Sequence, residues 1–361
     1  MRTQSPTSST SPQWRYGRFA LIVLFAAAPF LLFGAMLSGC TSGEEADDGI
    51  NEQVQRLFEP IPAEAEAPED NPMTEARVDL GHKLFFEQKL SRSGNISCNT
   101  CHVVGAAGVD NRRVAIGEQG REGPRTSPTV YNAAFLGMQF WDGRAATLEE
   151  QAKGPIQAHV EMDLTPEEAV SRLRDTGYLP FFEEAFPEDD DPLNFDNVAR
   201  AIASFERTLI TPGSPFDRYL EGERDALNAT QLAGLELFTD TGCASCHNGV
   251  LLGGQGFARF SHVEGGDDRG RAEVTGDAGD EYVFRIAPLR NVERTYPYFH
   301  DGSAETLEEA VSIMGESQLG RTFNDEEVEQ MVAFLESLTG EFPMVPYPQL
   351  PRQRSAAVDR P

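Results

Sequence analysis

The chain has 361 residues, of which 40% are hydrophobic, and a formal charge of −28 at pH 7. It is long enough for two ordinary domains and apolar enough for a packed core, which excludes wholesale disorder. So negative a surface argues against nucleic acid, itself a polyanion. It favours a basic or locally basic protein partner met in fast, salt-sensitive encounters, or reflects acidity for solubility alone.

In chain order, the first feature is an export signal. Arg2, Arg15 and Arg18 precede an apolar run of 19 residues from Phe19 to Leu37, followed by Leu37-Ser38-Gly39-Cys40. Small residues before a cysteine at the end of such a run resemble a bacterial lipoprotein signal, with cleavage after residue 39 and a lipidated Cys40 as anchor. An uncleaved membrane helix is the rival reading, since the run nearly suffices to span a bilayer. Both readings place the body outside the cytoplasm, in the periplasm and tethered to a membrane. Removal of residues 1–39, which hold three arginines and no acid, leaves about −31. Residues 40–73, rich in Glu, Ala and Pro, are expected to form a flexible acidic tether.

An amphipathic helix is expected over Arg77–Leu90, on the spacing of Leu80, Leu84 and Phe85. After it comes Cys98-Asn99-Thr100-Cys101-His102. A second helix over Gln231–Thr239, with Leu232, Leu235 and Phe238, precedes Cys243-Ala244-Ser245-Cys246-His247. Cys-x-x-Cys-His is the attachment pattern of c-type haem: two thiols on one helical turn form thioethers to the haem vinyl groups, and the adjacent histidine binds iron. A four-cysteine zinc site would not need a histidine after each pair, and two Cys-x-x-Cys disulfides would be redox-active rather than structural. Two covalent c-type haems are therefore expected, held by Cys98, Cys101, Cys243 and Cys246, with His102 and His247 on the irons.

Each half closes on an amphipathic helix. The first carries Val198, Ile202, Phe205 and Leu209. The second carries Val328, Met331, Leu335 and Leu338, with Asn324 and Glu327 spaced as a capping box and Gly340 as the stop. The middles repeat as well. Phe140-Trp141-Asp142-Gly143 through Thr147-Leu148-Glu149-Glu150 matches Phe299-His300-Asp301-Gly302 through Thr306-Leu307-Glu308-Glu309, with Asn132 and Asn291 eight residues upstream of the two phenylalanines. This is an internal duplication. In its register Trp141 faces His300, and Gly137 faces Tyr296.

Leu84-Phe85-Phe86, Ile96-Ser97-Cys98, Gln139 to Arg144, Gly154-Pro155, Val160-Glu161-Met162, Leu289-Arg290-Asn291-Val292 and Pro297-Tyr298-Phe299-His300 resemble the bacterial di-haem cytochrome c peroxidase family, which includes the MauG-type enzymes. The resemblance runs from about Thr74 to Pro351. It implies a peroxidatic N-terminal haem and a C-terminal haem that receives electrons from a small redox protein, a c-type cytochrome or a blue-copper protein. It also implies that Trp141 is the inter-haem tryptophan and that Gln151 and Glu161 are the polar groups of the distal pocket. Cleavage of peroxide needs a base for its first proton and an acid for the departing oxygen, and a buried Glu161 with a raised pKa serves as both. Where many members carry a loop histidine that blocks the peroxidatic iron, sixteen residues after the proximal histidine, this chain has Glu118. His159 is a conceivable substitute ligand, against its reading as an exposed loop residue.

At the distal position of the C-terminal haem, members that accept electrons at high potential have methionine. This chain has Tyr296 at the matching place, a MauG-like feature, with Met314 as the nearest alternative. Gly137, at the same place in the first half, is expected to leave an open coordination position. Calcium between the domains is left open, because Thr126 follows Pro124-Arg125 where the family usually has asparagine.

The expected fold is mostly α, two cytochrome c-like domains related by duplication, each wrapping one covalent haem: residues 74–213, then 214–351, with a tail at 352–361. The expected function is reduction of hydrogen peroxide. The alternatives are MauG-like oxidation of a partner protein and non-catalytic electron transfer. A homodimer stays open.

Overall fold

The computed structural model describes residues 52–351. The export signal, Cys40 and the tail after residue 351 lie outside the described residues. The described chain is mostly helical: α1 (Glu52–Leu57), α2 (Glu75–Phe85), α3 (Cys98–Cys101), α4 (Leu148–Gln157), α5 (Pro166–Asp175), α6 (Leu179–Ala185), α7 (Phe195–Glu206), α8 (Pro215–Leu220), α9 (Ala229–Asp240), α10 (Ala272–Thr275), α11 (Leu307–Met314) and α12 (Asp325–Glu336). Among the described residues the only sheet pairs β1 (Phe257–Arg259) antiparallel with β2 (Val283–Arg285). No described helix is long and apolar enough to cross a membrane.

Two hydrophobic cores organise these elements. The first gathers buried residues from Leu80 to Leu209, and the second gathers Val54, Phe58 and residues from Phe216 to Leu338. Each is built on one helix crossing, and the two crossings are copies. A Cβ on Gly81 of α2 would stand 1.8 Å from the Ala201 carbonyl oxygen and 2.9 Å from Phe205 Cβ. On Gly234 of α9 it would stand 2.0 Å from the Gln330 carbonyl oxygen and 2.8 Å from Phe334 Cβ. Glycine at both places lets α2 lie against α7, and α9 against α12, at backbone contact. This contact aligns Phe205 with Phe334, and hence Glu206 with Leu335.

The helix ends follow their capping residues. Thr74 caps α2, Asn194 caps α7, and Thr147 and Thr306 cap the repeat-related α4 and α11. The expected box on α12 is present, with Glu327 N donating to Asn324 Oδ1 (3.1 Å) and Asn324 N to Glu327 Oε2 (3.0 Å). Gly340 is not the stop of this helix. The helix ends at Glu336, and Gly340 is required four residues on, because a Cβ there would meet the Thr211 carbonyl oxygen at 2.0 Å.

The ends of the described chain cross between the cores. Helix α1 falls within the expected tether, yet Val54 and Phe58 are buried, and Phe58 packs edge-on against Phe216 at 5.5 Å. In the opposite sense, Phe342, Val345 and Leu350 pack against the first core, and Phe342 meets Tyr131 edge-on at 4.8 Å.

Candidate haem sites and distal pocket

The first Cys-x-x-Cys-His opens on Ser97, whose backbone N–H donates to Thr100 Oγ1 (3.0 Å). Residues 98–101 form the single turn α3, and His102 N donates to the Cys98 carbonyl (2.8 Å). The turn places both thiols on one side and the imidazole just beyond them. Burial pushes both thiols up, Cys101 to about 11, so they are held neutral. No described grouping of three or more His, Cys, Asp or Glu side chains is arranged to hold a metal ion. The four described cysteines are unpaired by disulfide. The His102 ring is buried, which holds its pKa down and the imidazole neutral. The backbone of Gly108 and Pro128 flanks it, although Nδ1 has no partner in good hydrogen-bond geometry.

The second motif follows Gly242, whose φ of 99° turns the chain out of α9. His247 N bonds to the Cys243 carbonyl (3.0 Å), and His247 Nδ1 lies 3.0 Å from the Leu252 carbonyl. A carbonyl only accepts, so Nδ1 carries the proton and Nε2 keeps its lone pair for a metal. Burial again holds the ring neutral.

His247 opens into a cavity of about 320 Å³ whose exposed wall is mainly apolar, with Phe238, Met314, Met331 and Leu335 on it together with the two cysteines, and with Trp141 and Arg285 among its polar-capable groups. An apolar slot with two thiols, a neutral imidazole and a guanidinium matches the chemistry of a haem, an apolar macrocycle bearing two carboxylates.

Tyr296 and Met314 stand differently toward the His247 cavity. Tyr296 is 51% exposed and is absent from the cavity wall, whereas Met314, at the end of α11, is part of it. The reason lies in the repeat. Gly137 and Tyr296 do occupy matching positions, but both face the opposite half. Gly137 N donates to the Gly254 carbonyl (3.1 Å), and a Cβ on Gly137 would meet Gln255 Oε1 at 2.8 Å. The Tyr296 carbonyl accepts from Asn111 Nδ2 (2.8 Å). The pair lies at the seam between halves.

Glu161 stands in the turn after α4, with its backbone N–H on the Ala158 carbonyl (2.9 Å). Burial raises its carboxyl pKa, and Arg144 opposes this. Its charge is felt by both Cys98 and Cys101, so the structure brings it to the first haem motif. Gln151 is partly buried on α4 in the same half. Trp141 lines the second cavity and donates Nε1–H to the Thr126 carbonyl (3.1 Å). It meets its repeat partner His300 edge-on at 6.3 Å.

A family model described as di-haem cytochrome c peroxidase matches residues 75–225, and a cytochrome c model matches residues 232–339. The cytochrome c551 peroxidase of Pseudomonas aeruginosa is 47% identical over 333 residues, covering 90% of this chain and 96% of the relative. That of Nitrosomonas europaea is 45% identical, covering 82% and 89%. The chain belongs to the di-haem cytochrome c peroxidase family. A crystal structure of a MauG-like protein associated with microbial copper homeostasis superposes on this di-haem peroxidase with a TM-score of 0.71 at 32% identity, over 78% of this chain and 94% of that one. Membership implies two c-type haems.

In this peroxidase the loop that replaces the blocking histidine is pinned. Glu118 is 1% exposed, and its Oε1 accepts from Ser93 N (2.9 Å) and Ser93 Oγ (2.8 Å). Glu118 N donates to the Glu161 carbonyl (2.8 Å), and Gly117 packs so closely that a Cβ would stand 2.6 Å from Glu161 Cα. The loop thus supports Glu161 from behind. His159 is exposed and pairs with Asp163 at 3.2 Å. Thr126 spends its hydroxyl on the carbonyls of Phe299 (2.6 Å) and His300 (2.8 Å).

Sequence reasoning passed over Glu206 and Arg285. Glu206 is buried at the end of α7, where the aligned Leu335 lines the second cavity; its Oε2 lacks a partner and burial pushes its carboxyl up to about 8. Only the alignment of the two glycine crossings would have drawn attention to it.

Proposed function

We propose that this chain reduces hydrogen peroxide to water in the first half, residues 74–213, with electrons entering through the second half, residues 214–351, from a small basic c-type cytochrome or blue-copper protein. The reaction takes up two electrons and two protons per peroxide and yields two waters. When bound, the haems supply the one-electron centres. The observation that carries the reading is Glu161, a buried carboxyl of raised pKa within electrostatic reach of Cys98 and Cys101.

Glu161 accepts the first proton of peroxide on a carboxylate oxygen and returns it to the departing oxygen, while Gln151 orients the substrate by hydrogen bonding. Trp141 sits where electrons pass between the halves. His102 and His247 would hold the irons, and Met314, which shares the cavity wall with His247 where Tyr296 does not, would be the further ligand of the second. A thioether favours the reduced iron and a high potential, which suits a centre that accepts electrons from a small carrier. This favours peroxide reduction over MauG-like oxidation of a partner protein. Export to the periplasm and lipid anchoring at Cys40 rest on the N-terminal sequence.

The test is peroxide-dependent oxidation of a reduced basic cytochrome by the holoenzyme. Turnover that falls steeply with ionic strength is expected. Peroxide consumption no faster than that of free haem would overturn the proposal.

A further inference from the structure

Arg285 is the unexplained charge of the second cavity. It ends β2, is 3% exposed, and lines the cavity wall. Its backbone N–H donates to the Trp141 carbonyl (2.7 Å) and its Nε to the Phe140 carbonyl (3.1 Å), while Nη1 is buried with no partner. The other buried arginine in this wall, Arg290, has its carboxylate, Asp217 at 2.8 Å, and Arg125 near the same seam has Asp142 at 2.6 Å and Asp268 at 2.7 Å. No carboxylate of the described chain pairs with Arg285, and burial alone pulls its pKa down to about 10. A buried guanidinium without an anion is strongly disfavoured, so a site that keeps one is built to receive an anion from elsewhere. The group this cavity fits carries two carboxylates on an otherwise apolar ring.

We propose that Arg285 holds a propionate of the second haem and, through its Nε and backbone bonds to Phe140 and Trp141, ties that propionate to the inter-haem tryptophan. Arg285 is then a positioning residue for the haem and a determinant of its potential. The guanidinium offsets the propionate charge. Without it the uncompensated carboxylate stabilises ferric over ferrous iron and the potential falls. The guanidinium carbon also lies 6.0 Å from the Trp141 ring centroid, so the same cation disfavours a positive charge on Trp141.

The inference rests on a haem occupying this cavity. The experiment therefore begins with a pyridine haemochrome count on the wild-type holoprotein. A count of one haem overturns that reading. A count of two, with the inference failing below, overturns the Arg285 assignment alone. Anaerobic redox titration of Arg285→Gln, read optically and by EPR, is expected to lower the reduction equilibrium constant of the second haem at least tenfold, about 59 mV for one electron. Arg285→Lys should recover most of that loss, and the first haem should be unchanged. An unchanged second potential in Arg285→Gln overturns the proposal. Should Arg285→Gln not accumulate with two haems, Arg285→Lys is read by resonance Raman. A shifted propionate bending band supports the contact, and an unshifted one overturns it.

Discussion

Asn132 and Asn291, the two asparagines that the duplication places at equivalent points, donate to the same hydroxyl: each Nδ2 lies 2.8 Å from Thr211 Oγ1. Both residues adopt a left-handed backbone, with φ of 61°. Asn132 Oδ1 accepts from Thr211 N (2.9 Å) and Asn291 Oδ1 from Gly340 N (3.1 Å), so each asparagine fastens its middle segment to the end of its own closing helix. One threonine in the linker between halves thus serves both copies, because a hydroxyl oxygen has two lone pairs and accepts twice.

Thr211→Val removes this shared acceptor while keeping the shape of the side chain. Two buried amide groups then lose their partner, at about 1–3 kcal/mol each. Chemical denaturation of the holoprotein should show a total loss of about 2–6 kcal/mol. A change below about 0.5 kcal/mol, typical of an ordinary surface substitution, would mean that water takes over both bonds.

Glu161→Gln should leave both haems attached and slow peroxide cleavage roughly 100-fold or more, the usual scale of general acid–base catalysis. Stopped-flow mixing of enzyme with peroxide measures it. A wild-type rate would remove Glu161 from the chemistry.

The axial ligand of the second haem has a spectroscopic signature. The oxidised wild type should show the near-infrared charge-transfer band of methionine ligation. Met314→Leu should abolish it and lower the potential, whereas Tyr296→Phe should change neither. Loss of low-spin character in Tyr296→Phe would restore the phenol as ligand.

Glu118 bears on activation. Its carboxylate is engaged by Ser93 and its N–H by the Glu161 carbonyl, so it is tied to the chain on both sides. The fully oxidised enzyme should therefore contain a high-spin haem and react with peroxide without prior reduction. Two low-spin haems at rest, with activity appearing only after reduction, would contradict this.

Glu206 makes stability depend on pH. Its folded pKa, about 8, is raised above the unfolded value near 4.5 because burial disfavours the charged form. Its contribution is fully present below about pH 4.5 and is lost as pH rises through about 8, when the buried carboxyl must ionise. Glu206→Gln should flatten this dependence and gain on wild type by roughly 3–5 kcal/mol at pH 9 relative to pH 5. Denaturant midpoints measured across that range for both proteins check it, and parallel pH profiles would show that the Glu206 pKa does not differ between the folded and unfolded states.

Much of this molecule was legible in one dimension, since the information is local. Two thiols and a histidine on one turn define a haem attachment site wherever they occur. The Asn324–Glu327 box sits within a single turn. The duplicated segments from Phe140 and Phe299 form the same bridge and the same capped helix in both halves. Glu161 could be singled out because its neighbours in sequence carry the family resemblance.

The tertiary structure decided what depends on which side of a turn faces which core. The repeat register matched Tyr296 with Gly137 correctly, but only the packing of one half on the other turns that position toward Asn111 and Gln255 and leaves Met314 in the cavity wall. Glu118 reads as one acid among 58 until the fold sets it against Ser93, 25 residues away. Arg285 is one basic residue among 30 until burial strips it of water and of every carboxylate. Spacing along the chain specifies covalent attachment and helix ends, which involve neighbours. A charge acquires meaning from its solvation and its partners, and both are set by contacts between distant segments.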